Sequence, residues 1–183
     1  MPEINKTVLF DIPAILAKIN ISSRQSVAEL GCGNFGFFVF PLARIVGREG
    51  KIYAVDILKS TLEEITRTAK QENLPQITTV WSNLEIYKAT KIETSSLDCA
   101  LLVNILHQSD KRLEILRESV RLLKRGGKLL IIEWKDSDSP LGPSPEKRVN
   151  LTAIKLAAPK LNLEIKEEFS AGPYHFGLIL NKI

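Results

Sequence analysis

Residues 28–36, Ala28-Glu29-Leu30-Gly31-Cys32-Gly33-Asn34-Phe35-Gly36, form an apolar run that enters a G-x-G-x-x-G turn, and an apolar segment of helical period follows them. Glycine tolerates positive φ and lets another molecule lie against the backbone. The first N–H groups of a following helix are free and carry partial positive charge. A strand, a glycine turn and a helix in that order make a binding device, the opening of a βαβ unit. A helix beginning near Phe38 puts Pro41 in its first turn, where the missing N–H costs little, and Gly47 and Gly50 close the unit.

Outward from this stretch, strand-length apolar runs alternate with helix-period segments from Ser26 to Trp134, which predicts βαβ units around a parallel sheet. Strands are expected at 27–30, 52–55, 77–81, 97–103 and 128–134; the fourth, LDCALLV, is apolar enough to lie centrally, covered on both faces. Ser60 and Glu63 form an S-x-x-E capping box ahead of Leu62, Ile65 and Ala69, and that helix stops near Asn73 and Pro75. Asp110 is the expected N-cap of the next helix, with Leu113, Leu116, Val120 and Leu123 as its stripe and Arg125-Gly126-Gly127 as its end. Before the first strand, Val8, Leu9, Ile12, Ile15, Leu16 and Ile19 mark an amphipathic segment. After the fifth, the turn-rich residues 136–145 end in Ser144-Pro145, predicting a helix over 146–158. Leu161, Leu163, Ile165 and Phe169 then alternate with polar residues, Gly172-Pro173 turns, and Phe176, Leu178 and Leu180 alternate again, as in an antiparallel hairpin.

With 183 residues, 44% apolar and 25% charged, the chain has the make-up of one globular domain, expected to span 1–183. No window approaches the roughly 18 uninterrupted apolar residues of a membrane helix, and the first residues carry Glu3 and Lys6. A cytoplasmic chain without membrane insertion is expected. Cys32 and Cys99 are too few for a disulfide framework and, with two histidines at unrelated spacings, assemble no metal site. The net charge of +4 comes from 25 basic and 21 acidic residues interleaved along the chain, and the pairs Lys111-Arg112, Lys124-Arg125 and Lys147-Arg148 read as solvated helix ends. No nucleic-acid partner is expected.

Asp56 lies at the tip of the second strand, where a carboxylate can accept both hydroxyls of an adenosine ribose. Two ligands suit the pattern: a nicotinamide or flavin dinucleotide, with its pyrophosphate on the helix N-terminus, or S-adenosylmethionine. Glu29, two residues before Gly31, would repel a pyrophosphate and suit ammonium and sulfonium charges. Ser82-Asn83 follows the third strand, where a side-chain oxygen can accept the adenine amino group. A closing antiparallel hairpin is an unusual ending for a dinucleotide fold.

The stretches AELGCGNFGFF, YAVD, WSNLE, LDCALLVNILHQ and RLLKRGGKLLIIEWK, in this order, resemble the successive motifs of class I S-adenosylmethionine-dependent methyltransferases, most closely the small branch of ubiquinone and menaquinone biosynthesis methyltransferases. The resemblance covers about residues 26–135 and implies a Rossmann-like α/β fold: a seven-stranded, mostly parallel sheet with a C-terminal antiparallel hairpin and helices on both faces. It implies S-adenosyl-L-methionine as cofactor and methyl transfer to a small-molecule acceptor. Carried onto this chain, Gly31 and Gly33 would cradle the methionine portion with Glu29 near its ammonium. Asp56 would hold the ribose, Ile57 would pack on adenine, Asn83 would meet the adenine amino group, and Asn104 would offer a backbone carbonyl to the methionine part. Two positions depart from the family pattern: GCGNFG carries one extra residue, which leaves Gly36 without a role, and Asn83 stands where aspartate is common.

Methyl transfer from a sulfonium is an in-line displacement that asks mainly for alignment and exclusion of water. Where the acceptor carries a proton, His107 is the candidate base, delivered to the ligand edge by the fourth strand. His175 is expected to be solvated or to pack in the hairpin, Trp134 to anchor a loop, and Lys135 to lie on the surface. Cys32 reads as a small apolar filler and Asp98 as a structural carboxylate. The N-terminal segment and residues 136–145 are the expected cover over the acceptor. A nicotinamide-dependent oxidoreductase is the competing enzyme reading, supported by the literal G-x-G-x-x-G with Asp56 but lacking a Tyr-x-x-x-Lys pair; a nucleotide-binding module without turnover is the third.

Overall fold

The computed structural model describes residues 10–136 and 141–183. Its strands are β1 (Ser26–Leu30), β2 (Lys51–Asp56), β3 (Ile77–Trp81), β4 (Leu97–Val103), β5 (Leu123–Trp134), β6 (Leu163–Ser170) and β7 (His175–Lys182). They form a seven-stranded sheet in the order β3-β2-β1-β4-β5-β7-β6. The first five are parallel, and β7 runs antiparallel to both β5 and β6. The Rossmann-like expectation, hairpin included, holds.

Side chains alternate across the sheet and build a core on each face. On one face Val27, Cys99, Leu101, Leu130 and Ile132 pack beneath α1 (Ile12–Ile19), α2 (Val39–Val46) and α3 (Lys59–Gln71). On the other, Ala28, Ala100, Leu102, Leu129 and Ile131 meet α4 (Arg112–Leu122) and α5 (Leu151–Ala157). β4 is covered on both faces, as its continuous apolar run required. Strand order reverses between β1 and β4, so the carboxyl ends of β1, β2 and β4 open a crevice on one edge, the usual ligand position in such sheets. Among the described residues, no helix is long and apolar enough to cross a membrane.

Several local expectations need correction. α3 begins at Lys59, one residue before Ser60, and its N-cap Leu58 makes no side-chain cap bond, so the Ser60–Glu63 box does not form. Asp56 supplies the acceptor there instead, taking the Leu58 N–H at 2.9 Å. α4 starts after Lys111, whose N–H donates to Ser109 Oγ, so Asp110 is not the cap. Leu113 is exposed, and the inward face carries Ile115, Leu116 and Leu122 together with Glu118, Ser119 and Arg121. A buried ion pair had turned the apolar face away from where hydrophobicity alone places it. β5 opens at Leu123, which pairs with Leu97 before a register shift at the glycines, so Arg125-Gly126-Gly127 is an irregularity within the strand.

The helix expected over 146–158 is broken. A 3-10 turn at Pro145–Lys147 precedes α5, because Arg148 turns inward onto the carbonyls of Lys135, Leu141 and Pro143, and Asn150 Oδ1 caps the new helix through the Ala153 N–H. β7 is buried from His175 to Leu180, on both faces, since it lies between β5 and β6 rather than at an edge. Residues 1–9 and 137–140, including Val8, Leu9 and part of the expected cover, lie outside the described residues.

Candidate active site

The glycine turn is shaped by contacts that leave no room for side chains. Gly31 has φ +83°, and a Cβ there would lie 2.1 Å from Ile105 Cδ1. Gly36 has φ +51°, and a Cβ would lie 2.7 Å from Ile65 Cδ1 and 2.9 Å from the Phe40 ring. The third glycine of the lengthened turn thus has a structural role, letting the start of α2 pass close to α3. The turn is tied to β2 by the N–H groups of Gly31 and Cys32, both donating to the Val55 carbonyl, at 2.7 and 3.0 Å. Thr61 Oγ1 donates to Asn34 Oδ1 at 2.6 Å and fixes the turn to α3.

A cavity of about 530 Å³ opens at this turn, within the range of about 300–1,000 Å³ usual for small-molecule sites. Glu29, Gly31, Gly33, Asp56, Ile57, Asn83 and Asn104 all line it. Seven residues singled out in the sequence from four separate segments therefore converge on one cleft.

Their bonding refines the expected roles. Asp56 accepts the Gly33 N–H on Oδ2 at 3.0 Å and the Leu58 N–H on Oδ1, which holds its carboxylate at the mouth with lone pairs to spare. Glu29, 3% exposed, accepts the Val39 N–H at 3.0 Å, so the first turn of α2 is capped by this carboxylate rather than left free. Burial pushes the Glu29 pKa up to about 8, against the lowering effect of the Val39 and Phe38 N–H groups, with the Asp56 charge adding to the rise. The buried Cys32 thiol is raised above its ordinary range, first by burial and then by the Glu29 and Asp56 charges, in keeping with a filler.

Asn83 lines the cleft, and its Oδ1 accepts the Glu85 N–H at 2.9 Å. Asn104, at φ +55°, has its carbonyl accepting from Gln108 Nε2 at 2.7 Å, so the carbonyl expected to serve a ligand is already engaged; among the described residues its buried Oδ1 has no partner. Ile57 is half exposed at the rim, and Trp81 Nε1 donates to its carbonyl at 2.7 Å.

His107 is not brought into the cavity, although Asn104, Ile105 and Gln108 around it are. Its Nδ1 meets Glu133 Oε2 at 2.9 Å, and Glu133, fully buried, also accepts the N–H groups of Leu106 at 2.6 Å and His107 at 3.3 Å on Oε1. Glu133 was not singled out in the sequence, yet a lone carboxylate inside LLIIEW was a signal, since a charge within an apolar strand demands partners.

The aromatic wall was missed too: Phe10, Phe37 and Phe38 line the cleft, and Phe35, within the lengthened turn, stands exposed with its ring 5.4 Å from that of Phe37. In sequence these rings are indistinguishable from core residues. His175 is fully buried between Phe10 and Trp134, at centroid distances of 5.2 and 4.2 Å, so the hairpin-packing role holds and the solvated one does not. Lys135 Nζ donates to Ser170 Oγ and the Gly172 carbonyl, closing the hairpin turn. Asp98 accepts from the Ser26 N–H and Lys124 Nζ, a structural carboxylate as expected.

Comparison with known proteins places this geometry in context. A protein family described as a methyltransferase domain matches residues 28–131, more than half of the chain. The demethylmenaquinone methyltransferase of Lactococcus lactis is 29% identical over 116 residues, 63% of this chain and 44% of its own. The ubiquinone/menaquinone biosynthesis C-methyltransferase of Sinorhizobium fredii is 28% identical over 134 residues, 70% of this chain and 49% of its own. The chain thus spans less than half the length of these two relatives. A solved methyltransferase dependent on S-adenosylmethionine, from Aquifex aeolicus, superposes with a TM-score of 0.85 at 22% identity, covering 96% of this chain and 91% of that one, which is a likeness of fold.

Proposed function

Because this chain belongs to the methyltransferase domain family, we propose that it transfers a methyl group from S-adenosyl-L-methionine to a small-molecule acceptor. The observation that carries this reading is the convergence of Glu29, Asp56, Asn83 and Asn104, whose buried Oδ1 has no partner among the described residues, on one cleft at the glycine turn. The Asp56 carboxylate, the buried Glu29 carboxyl and two side-chain amides make a wall rich in acceptors. Such a wall suits a cationic ligand rich in donors and opposes a pyrophosphate, the more so as Glu29 already occupies the first turn of α2.

The residues fit the group. A Cβ at Gly33 would meet nothing within 4 Å, so the turn leaves open space above it for the methionine portion. Asp56 holds the ribose hydroxyls, Ile57 covers one face of adenine, Asn83 accepts from the adenine amino group, and Asn104 Oδ1 accepts from the ammonium. Bound there, the sulfonium supplies an activated methyl group. The chain aligns the acceptor and excludes water, and the rings of Phe10, Phe37 and Phe38 suit an apolar ring as acceptor. The quinone-pathway names of the two relatives point the same way.

His107 serves as base on this reading. With Nδ1–H donating to Glu133, Nε2 is left as the lone pair that takes a proton. Since Asn104, Ile105 and Gln108 line the cavity and His107 does not, the acceptor must reach beyond these residues to meet it. His107→Ala is then expected to leave cofactor affinity within about twofold and to lower turnover about a hundredfold; a wild-type rate on the true acceptor would remove the base. The proposal as a whole is tested by incubating the purified chain with methyl-labelled S-adenosylmethionine and a small-molecule extract. Label transferred to an extract component is the expected result, and no transfer with intact cofactor binding would leave only a binding module.

A further inference from the structure

Residues 82–96, between β3 and β4, form neither helix nor strand, yet Ser82, Asn83, Leu84 and Glu85 from this segment line the cleft. An irregular segment can hold an amide oxygen in place only if something else fixes it. α4 does so with a buried ion pair: Glu118, fully buried, and Arg121, 8% exposed, are joined by two bonds of 2.8 Å. Glu118 accepts the N–H groups of Lys88 at 2.8 Å and Thr90 at 3.0 Å. Arg121 donates to the carbonyls of Thr90 and Ile92 and to Thr94 Oγ1.

Thr90 is where these ties meet the cleft. Its N–H goes to Glu118, its carbonyl receives Arg121, and its Oγ1 lies 2.9 Å from Ser82 Oγ. Both hydroxyls are buried, at 2% and 1% exposure, so neither has water as an alternative partner. The Ser82 N–H in turn donates to the Asp56 carbonyl at 3.0 Å. Ser82 is thereby held from two sides, and the next residue is Asn83, which lines the cleft and whose amide orientation is fixed by the Glu85 N–H donating to Oδ1.

We propose that Thr90 is a positioning residue for base recognition, passing the hold of α4 through the Thr90–Ser82 hydroxyl pair to Asn83. This rests on the reading that Asn83 accepts from the adenine amino group. An acceptor fixed at that point admits adenine, which presents a donor there, and rejects hypoxanthine, which presents a carbonyl. The discrimination weakens when the acceptor is free to turn or retreat.

The test is a calorimetric titration of the full chain with S-adenosylhomocysteine and S-inosylhomocysteine, using wild type, Thr90→Val, Thr90→Ser and Ser82→Ala. The wild type is expected to prefer the adenosyl ligand by at least tenfold. Thr90→Val and Ser82→Ala, which remove opposite halves of the hydroxyl pair, should each reduce that preference by about fivefold, while Thr90→Ser retains it. A merely structural role would weaken both ligands alike and leave the ratio unchanged, and an unchanged ratio in Thr90→Val or in Ser82→Ala overturns the proposal. A wild type that binds neither ligand overturns the methyl-donor reading itself, and the relay with it.

Discussion

Asp56 and Glu29 stand side by side in the cleft and play opposite parts. Asp56 is held by two backbone N–H groups, at 3.0 and 2.9 Å, at the mouth. Asp56→Ala is expected to weaken S-adenosylmethionine binding at least tenfold, about 1.4 kcal/mol, because a bidentate ribose contact is lost; calorimetry reads this directly, and unchanged affinity would remove the ribose assignment. Glu29 is buried, with no ion pair among the described residues, and burial pushes its pKa to about 8, above the 4.5 of an unperturbed glutamate. The native state therefore keeps a proton there that the unfolded chain gives up, so stability should fall as pH rises from about 4.5 to about 8 and level off beyond. Glu29→Gln should abolish this part of the slope, so that thermal melts at pH 5 and pH 8 differ less than in the wild type by about 4 °C or more; an identical slope would show that Glu29 ionises freely. Asp56 was legible in the sequence because a carboxylate at a strand tip after a glycine turn has few other uses. The engagement of the Asn104 carbonyl by Gln108 was not, since neighbouring side chains compete for the same lone pairs and spacing does not say which one wins.

At the level of elements, the lengthened turn and α4 are the places where local pattern gives way to packing. In the lengthened turn the Phe35 side chain lies exposed, and Gly36 then carries the chain past Ile65 into α2. Gly36→Ala is expected to destabilise the fold by more than about 1 kcal/mol, since φ is positive and the new methyl group meets Ile65 and Phe40; a denaturant midpoint at the wild-type value would contradict this. In α4, burial alone would raise the Glu118 pKa, but the Arg121 bonds and the N–H groups of Lys88 and Thr90 together hold it below the ordinary carboxylate value. That pairing contributes stability above the unfolded carboxylate pKa and loses it as pH falls through the lower native value. Glu118→Ala should cost about 3–5 kcal/mol, because Arg121 is left buried without its counter-charge, and urea unfolding measures it. Strands β3 and β4 were readable to the residue because runs bounded by turn residues leave little choice. The face of α4 was not, because an apolar stripe cannot show that a charged pair is buried beside it.

The whole molecule is a sheet whose strand order reverses between β1 and β4, and the cleft forms there because loops after β1 and β4 must part in opposite directions. That much followed from the βαβ rhythm and the closing hairpin, and the glycine turn with Asp56 located the cleft within it. The aromatic wall of Phe10, Phe37 and Phe38 and the His107–Glu133 pair emerge only when segments far apart in sequence are brought together. Everything functional depends on a cationic adenosyl ligand occupying this crevice. The most direct measurement is a crystal structure of the chain soaked in S-adenosylmethionine. Density is expected with the ribose on Asp56, the methionine portion over Gly33 and the base beside Asn83; a cleft left empty, or filled by the chain's own side chains, would contradict the account.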